Sequence, residues 1–279
     1  MHDPRSVRLA ELIVHHSTQL QRGEAVLIEA FDVRDGLLLE LIAAVQSAGA
    51  VPIVALRDNG IQRALITDGT EAQFMLQSEI ELAQMQKVQA YVGLRGAFNS
   101  SELSDVPADR MALYSRLVSQ PVQLGYRVNH TRWVVLRYPT PSMAQMAGMS
   151  TEQFEDFYYQ VCTLDYARMG KAIEPLAERM RRTDRVHLKG PGTDLRFSIK
   201  GLGVVPCEGR RNLPDGECFT APVRDSVEGT ISYNTPSLYL GTTYENVSFT
   251  FEKGRIVHAT ASAQSRLDAL LGTDEGARF

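Results

Sequence analysis

The chain has 279 residues, 44% of them hydrophobic, and a formal net charge of -4 at pH 7. That length allows one large or two ordinary domains with real cores, and the mild acidity leaves no basic face for a nucleic-acid backbone. The apolar runs are too short to span a bilayer and the polar opening Met1-His-Asp-Pro-Arg5 lacks a signal-peptide core, so a cytoplasmic protein with no membrane partner is expected.

From the N-terminus, Ser6 to Leu20 places Leu9, Leu12, Ile13 and Leu20 mostly at three- and four-residue spacing before Gly23, which predicts an amphipathic helix. Ala25-Val-Leu-Ile-Glu-Ala30 is a short, nearly continuous apolar run of the kind found in parallel strands buried on both faces. A second helix is predicted from about Asp35 to Ser47, and a second strand over Val51–Leu56, with Pro52 tolerable near its start. Helical material from Ile61 to Met85 precedes a third strand, Val88–Leu94. A helix from Ala108 to Val118 then leads to a fourth strand, Arg132–Arg137. Strands alternating with helices imply a Rossmann-like parallel sheet with right-handed crossovers and helices on both faces.

Such sheets often hold nucleotides, but the turn after the first strand, Phe31-Asp-Val-Arg-Asp-Gly36, has one glycine instead of the spaced three, and no GxxxxGK[ST] occurs. The first domain is therefore read as a scaffold without a dinucleotide. Its loop Arg95-Gly-Ala-Phe-Asn-Ser-Ser101 is either a wall of a substrate cleft or a plain connection. Met143, Met146 and Met149 form either an apolar substrate wall or core filler. Ser150, with Gln153 three residues on, opens a helix in the manner of a capping box. A further helix, about Asp165 to Arg182, contains Pro175, which predicts a kink or break.

Past Asp184 the period becomes two. Arg185–Lys189 and Asp194–Ile199 alternate around Gly190-Pro-Gly-Thr193, a hairpin signal, and strands are predicted at 203–207, 219–222, 227–233, 244–251 and 255–261, with a helix from Ser262 to Leu271. The chain is thus read as two domains, 1–184 α/β and 185–279 a mainly antiparallel, β-rich α+β domain. Its exposed strand edges suit pairing with a second copy. The histidines His15, His16, His130, His187 and His258 have no zinc-type spacing and read as exposed or satisfied side chains. Three cysteines, Cys162, Cys207 and Cys218, make no CxxC pair and no disulfide framework; Cys218 is either a soft metal ligand or a small buried hydrophobe.

The stretch around which the second half is arranged is Asn212-Leu-Pro-Asp-Gly-Glu-Cys-Phe-Thr-Ala-Pro222. Pro214-Asp215-Gly216 is a turn, because Pro presets φ, the Asp side chain can bond its own backbone and Gly accepts φ > 0. Glu217 follows directly, either as a carboxylate for a divalent ion or as an ordinary solvated side chain. With Lys189-Gly-Pro-Gly-Thr-Asp-Leu195, Ser226-Val-Glu-Gly229 and Thr273-Asp-Glu-Gly-Ala-Arg278, this stretch resembles the M29 family of metallo-aminopeptidases, of the aminopeptidase T and aminopeptidase S type.

The resemblance implies hydrolysis of the N-terminal residue of peptides by water activated between two divalent ions, Zn²⁺, Co²⁺ or Mn²⁺, with Glu217 as a metal ligand and a homodimeric assembly. In that family the remaining ligands, a second Glu, two His and an Asp, with a Tyr near the reacting water, follow the TDEGAR segment. This sequence stops at Phe279 before them, so the second domain is expected to be an incomplete catalytic domain and the 279 residues alone to be inactive. Two other classes share the architecture: related iron-dependent pyridine-ring-cleaving dioxygenases, and a non-catalytic binding or dimerisation module.

Overall fold

The computed structural model describes residues 3–33, 36–239 and 242–279. Backbone contacts divide the chain into two units, Met1–Gly170 with Cys207–Gly216, and Lys171–Pro206 with Glu217–Phe279. This division differs from a single boundary near residue 184, because residues 207–216 return to the first unit.

The first unit starts with α1 (Pro4–Leu12), β1 (Ala25–Phe31), α2 (Leu37–Ser47), β2 (Val51–Arg57), α3 (Asn59–Thr67), α4 (Glu71–Met85) and β3 (Ala90–Arg95). It continues through α5 (Ala108–Tyr114), α6 (Val128–His130), β4 (Arg132–Arg137), α7 (Pro141–Met146) and α8 (Thr151–Cys162). Helix α9 (Tyr166–Arg181) crosses the point where the units divide. Polar caps start several of these helices: Asp3 accepts from Arg5 N, Asp58 from Ile61 N, Thr70 from Gln73 N and Ser150 from Gln153 N. The first predicted helix stops being α-helical at Leu12, after which Ile13–Ser17 winds in wider turns and Thr18 N reaches Ile13 O at 2.9 Å. Ser115–Arg127 has the same wider winding and carries Pro121 inside it. Arg34 and Asp35, at the predicted start of the second helix, lie outside the described residues.

The strands form a parallel sheet in the order β2-β1-β3-β4, and a two-residue strand from far along the chain, Asn212–Leu213, adds to the outer side of β4. The chain steps outward from β1 to β2 and then crosses back to β3 on the other side, so the direction of winding reverses between β1 and β3. One face buries Leu9, Ile28, Leu41, Val92, Leu136 and Tyr159 under α1, α2 and α8. The other buries Leu27, Met85, Tyr91 and Val122 under α4 and the Ser115–Arg127 segment. Edge strand β2 keeps Val51 and Leu56 exposed. Met146 is also exposed, at the end of α7, so the methionine stripe is not uniform core filler.

In the second unit the hairpin signal is realised as β5 (Arg185–Gly190) and β6 (Thr193–Ser198). Next come β7 (Val205–Pro206), the returning strand β8 (Asn212–Leu213) just described, and β9 (Cys218–Phe219), which pairs with β7. Strands β10 (Glu228–Ser232), β11 (Ser237–Tyr239), β12 (Thr242–Tyr244), β13 (Ser248–Glu252) and β14 (Arg255–Thr260) lead to α10 (Gln264–Leu271). The antiparallel sheet runs β14-β13-β10-β6-β5, and α10 packs Leu267 and Leu271 on Tyr244 and Ile256. The predicted strand 244–251 is split in two, with Asn246 at φ 51° between β12 and β13. Pro175 lies inside α9 without ending it.

Candidate functional site

The Pro214–Gly216 turn is tethered to the first unit at several points. In β8, Asn212 and Leu213 register with Val135 and Leu136 of β4, and Val135 N donates to Arg211 O at 2.9 Å. His16 Nε2 donates to Glu208 O at 2.6 Å and Ser17 Oγ to Gly209 O at 2.5 Å. Gly209 N donates to Asp215 Oδ2 at 2.8 Å, and Asp215 N donates to the Tyr166 hydroxyl at 3.2 Å. Gly209 sits at φ 77°, and a Cβ there would lie 2.7 Å from the Tyr166 ring, so no other residue fits. Asp215 is thus engaged in holding the turn, in keeping with its turn chemistry. Burial pushes the Tyr166 hydroxyl up to about 12, so it stays protonated and donates to Val161 O at 2.8 Å.

Glu217 follows Gly216 in the chain and begins the second unit's portion. It is exposed and, among the described residues, makes no hydrogen bond or ion pair. An ionised carboxylate in that state is an acceptor with its coordination open. Among the described residues no three His, Cys, Asp or Glu side chains gather in a way that could hold a metal ion. Around Glu217 the described residues therefore offer a single open carboxylate, which by itself is not a metal centre. The Cys218 thiol lies 3.7 Å from Met180 Sδ, and burial raises its pKa, which disfavours the thiolate a soft metal would need. His187 Nε2 is 2.9 Å from Asp194 Oδ1, His130 stacks on Tyr126, and His258 is exposed on β14. These histidines are satisfied or solvated, as their sequence context suggests.

A second constellation lies at the carboxyl ends of β1, β2 and β3, where the winding of the sheet reverses. Open α/β sheets expose their ligand crevices at this position. Glu29, in the middle of the apolar run of β1, is 5% exposed. Its Oε2 accepts from the Tyr91 hydroxyl at 2.6 Å and from Arg95 Nη2 at 3.2 Å, and its Oε1 accepts from Arg57 Nε at 3.2 Å. Arg57 Nη2 reaches on to Glu81 Oε1 at 2.8 Å, where Gln77 Nε2 also donates at 3.0 Å. The Arg95 guanidinium lies over the Phe31 ring, 4.2 Å from its centroid. Gly93 makes this possible: a Cβ there would stand 3.1 Å from the Tyr91 hydroxyl and 3.2 Å from Val135 Cγ2, in the space the Tyr91 ring crosses to reach Glu29. Burial and the nearby Glu29 charge drive the Tyr91 pKa far up, so the phenol stays a donor.

The network floors a cavity of about 530 Å³ whose walls come from α3, α4 and the Ser115–Arg127 segment. Reading the sequence by period alone misses it, because Glu29, Arg57 and Arg95 are scattered over three strands. The signal that could have found it is a lone carboxylate inside an otherwise apolar strand, with an arginine closing each of the next two strands.

Comparison with known proteins bears on the whole chain. The model of the family described as thermophilic metalloprotease (M29) matches residues 2–279. Aminopeptidase T of Thermus thermophilus is 40% identical over 111 residues, which cover 35% of this chain and 26% of that protein. The chain therefore aligns with about a quarter of that curated relative's length. Among solved structures, wild-type AmpT from Thermus thermophilus superposes with a TM-score of 0.83 at 24% identity, over 99% of this chain and 76% of that one. The 2,5-dihydroxypyridine dioxygenase of Pseudomonas putida KT2440 superposes with a TM-score of 0.56 at 11% identity, over 95% and 71% of the two chains. At these identities both likenesses are likenesses of fold.

Proposed function

The chain belongs to the M29 family of metallopeptidases, and from that membership we propose that it serves a metal-dependent aminopeptidase removing the N-terminal residue of peptides. Glu217 is assigned as one ligand of a centre of two divalent ions, Zn²⁺, Co²⁺ or Mn²⁺. The observation that carries the reading is the family match across residues 2–279. It is supported at Glu217 by an exposed carboxylate with open coordination, directly after a turn whose own Asp215 is already engaged. Held by such ligands, the ions would supply Lewis-acid polarisation of the scissile carbonyl and would lower the pKa of a metal-held water. The residues in hand contribute a ligand and the tethered turn that precedes it in the chain. A single carboxylate binds these ions weakly, so the 279 residues by themselves are expected to hold no tight metal.

The test is hydrolysis of a leucine anilide by the longest form its gene encodes, with Zn²⁺, Co²⁺ or Mn²⁺ and with a chelator, for wild type and Glu217→Gln. Chelator-sensitive release that falls about 100-fold or more in the variant supports the reading, since the loss of a metal ligand or its partner typically removes 10- to 100-fold or more. Release indifferent to chelator and to Glu217 overturns it, as does Fe²⁺-dependent opening of a dihydroxypyridine ring with no peptidase activity. A homodimer is part of the same proposal, since the antiparallel sheet ends in the exposed edge strand β5. Light scattering at working concentration checks it.

A further inference from the structure

We propose that the cavity at the carboxyl ends of β1–β3 is a binding site for a free α-amino acid with an aliphatic side chain, separate from the metal-dependent chemistry. The inference starts from unused hydrogen-bonding capacity. Among the described residues, Arg57 bonds through Nε and Nη2 and Arg95 through Nη2, so Arg57 Nη1 and two nitrogens of Arg95 have no protein acceptor. Glu81 accepts two bonds on Oε1 and none on Oε2, and its side chain is only 14% exposed. Guanidinium N–H groups are built to receive a carboxylate, and a carboxylate oxygen to receive an ammonium.

The two groups are already paired, Arg57 Nη2 standing 2.8 Å from Glu81 Oε1. A carboxylate and an ammonium separated by one carbon, which is what an α-amino acid presents, suit a guanidinium and a carboxylate in direct contact. Charge argues the same way. Glu29, Asp58 and Glu81 line the cavity with Arg57 and Arg95, so both signs are present for the two ends of a zwitterion, whereas an anion alone would leave Glu81 Oε2 without a donor and meet a net negative lining. Next to these groups the cavity wall is aliphatic, with Ile61, Leu65 and Val118, and Ile61 and Leu65 are 63% and 47% exposed for want of a cover. An aliphatic side chain supplies that cover. A volume of about 530 Å³ lies within the range of small-molecule sites.

The experiment is calorimetric titration of the 279-residue chain in chelator-containing buffer with L-leucine, L-leucinamide, which lacks the carboxylate, and N-acetyl-L-leucine, which lacks the ammonium. Saturable one-to-one binding of leucine, at least about tenfold tighter than either analogue, is expected, tenfold being about 1.4 kcal/mol. Glu81→Gln, checked for folding by circular dichroism, should weaken leucine at least tenfold. The surface variant Leu65→Asp should do so without touching the charged network. Glu217→Gln should bind leucine as wild type does, which separates this site from the proposed metal ligand. Absence of saturable leucine binding by the folded chain, equal binding of leucinamide and acetyl-leucine, or leucine binding unchanged in both folded pocket variants would each overturn the proposal.

Discussion

Glu29 shows what a single side chain can organise. It ties together the ends of three parallel strands, and its two guanidinium partners are each held by it at 3.2 Å. Replacing it with glutamine removes the charge and leaves Arg57 and Arg95 partly buried without their shared anion. Breaking such a pair costs about 3–5 kcal/mol when fully buried, and because both arginines keep some water contact the loss expected for Glu29→Gln is at the lower end, read from the urea midpoint. Gly93→Ala should cost about 1–3 kcal/mol by overpacking against Tyr91 and Val135; an unchanged midpoint would show that the Tyr91 ring can move aside. Sequence period identified β1 correctly as a doubly buried strand, yet period is blind to a carboxylate inside it. Partners of Glu29 from the two neighbouring strands lie 28 and 66 residues away in the chain. The turn before Glu217 was legible for the opposite reason, since its chemistry is written in adjacent residues.

At the scale of elements, the Cys207–Gly216 segment depends on Gly209. Gly209→Ala puts a Cβ into the Tyr166 ring at a positive φ, and a clash with strain of this kind costs roughly 1–3 kcal/mol. Its local consequence is expected at β8: the Val135 amide, protected by Arg211 O, should exchange with solvent at least about tenfold faster, while amides in the middle of β1 keep their protection. Equal protection at Val135 would mean that β8 does not rely on this tether. Helix starts were legible because each needs only a capping residue and its neighbours, as Ser150 and Gln153 show. Strand β8 was not legible, because two residues carry no period and its pairing with β4 is set by distant tethers at His16, Ser17 and Tyr166. The Asn246 corner was missed although the sequence marks it, since the adjacent polar pair Glu245-Asn246 shifts the apolar alternation from Tyr244 to Val247, Phe249 and Phe251.

For the whole molecule, the direction of stability with alkaline pH follows from two buried acids. Burial pushes the Cys162 thiol from an ordinary 9.0 up to about 12, and the Tyr166 hydroxyl from 10.0 up to about 12. Below about pH 9 both are protonated folded or unfolded and their contribution is fully present. Between about 9 and 12 the unfolded chain releases these protons and the folded one does not, so stability falls as pH rises, by up to about 1.4 kcal/mol per unit for each group. Urea midpoints at pH 8, 9.5 and 11 check this; a flat profile would contradict it. The route of the chain between its two units has a consequence for synthesis on the ribosome. The outer edge of β4 is made early, yet the strand that covers it emerges only after β5, β6 and β7 have been translated. Throughout that interval the nascent sheet carries an open parallel edge, the kind of surface chaperones shield, and no truncation before residue 213 can close it.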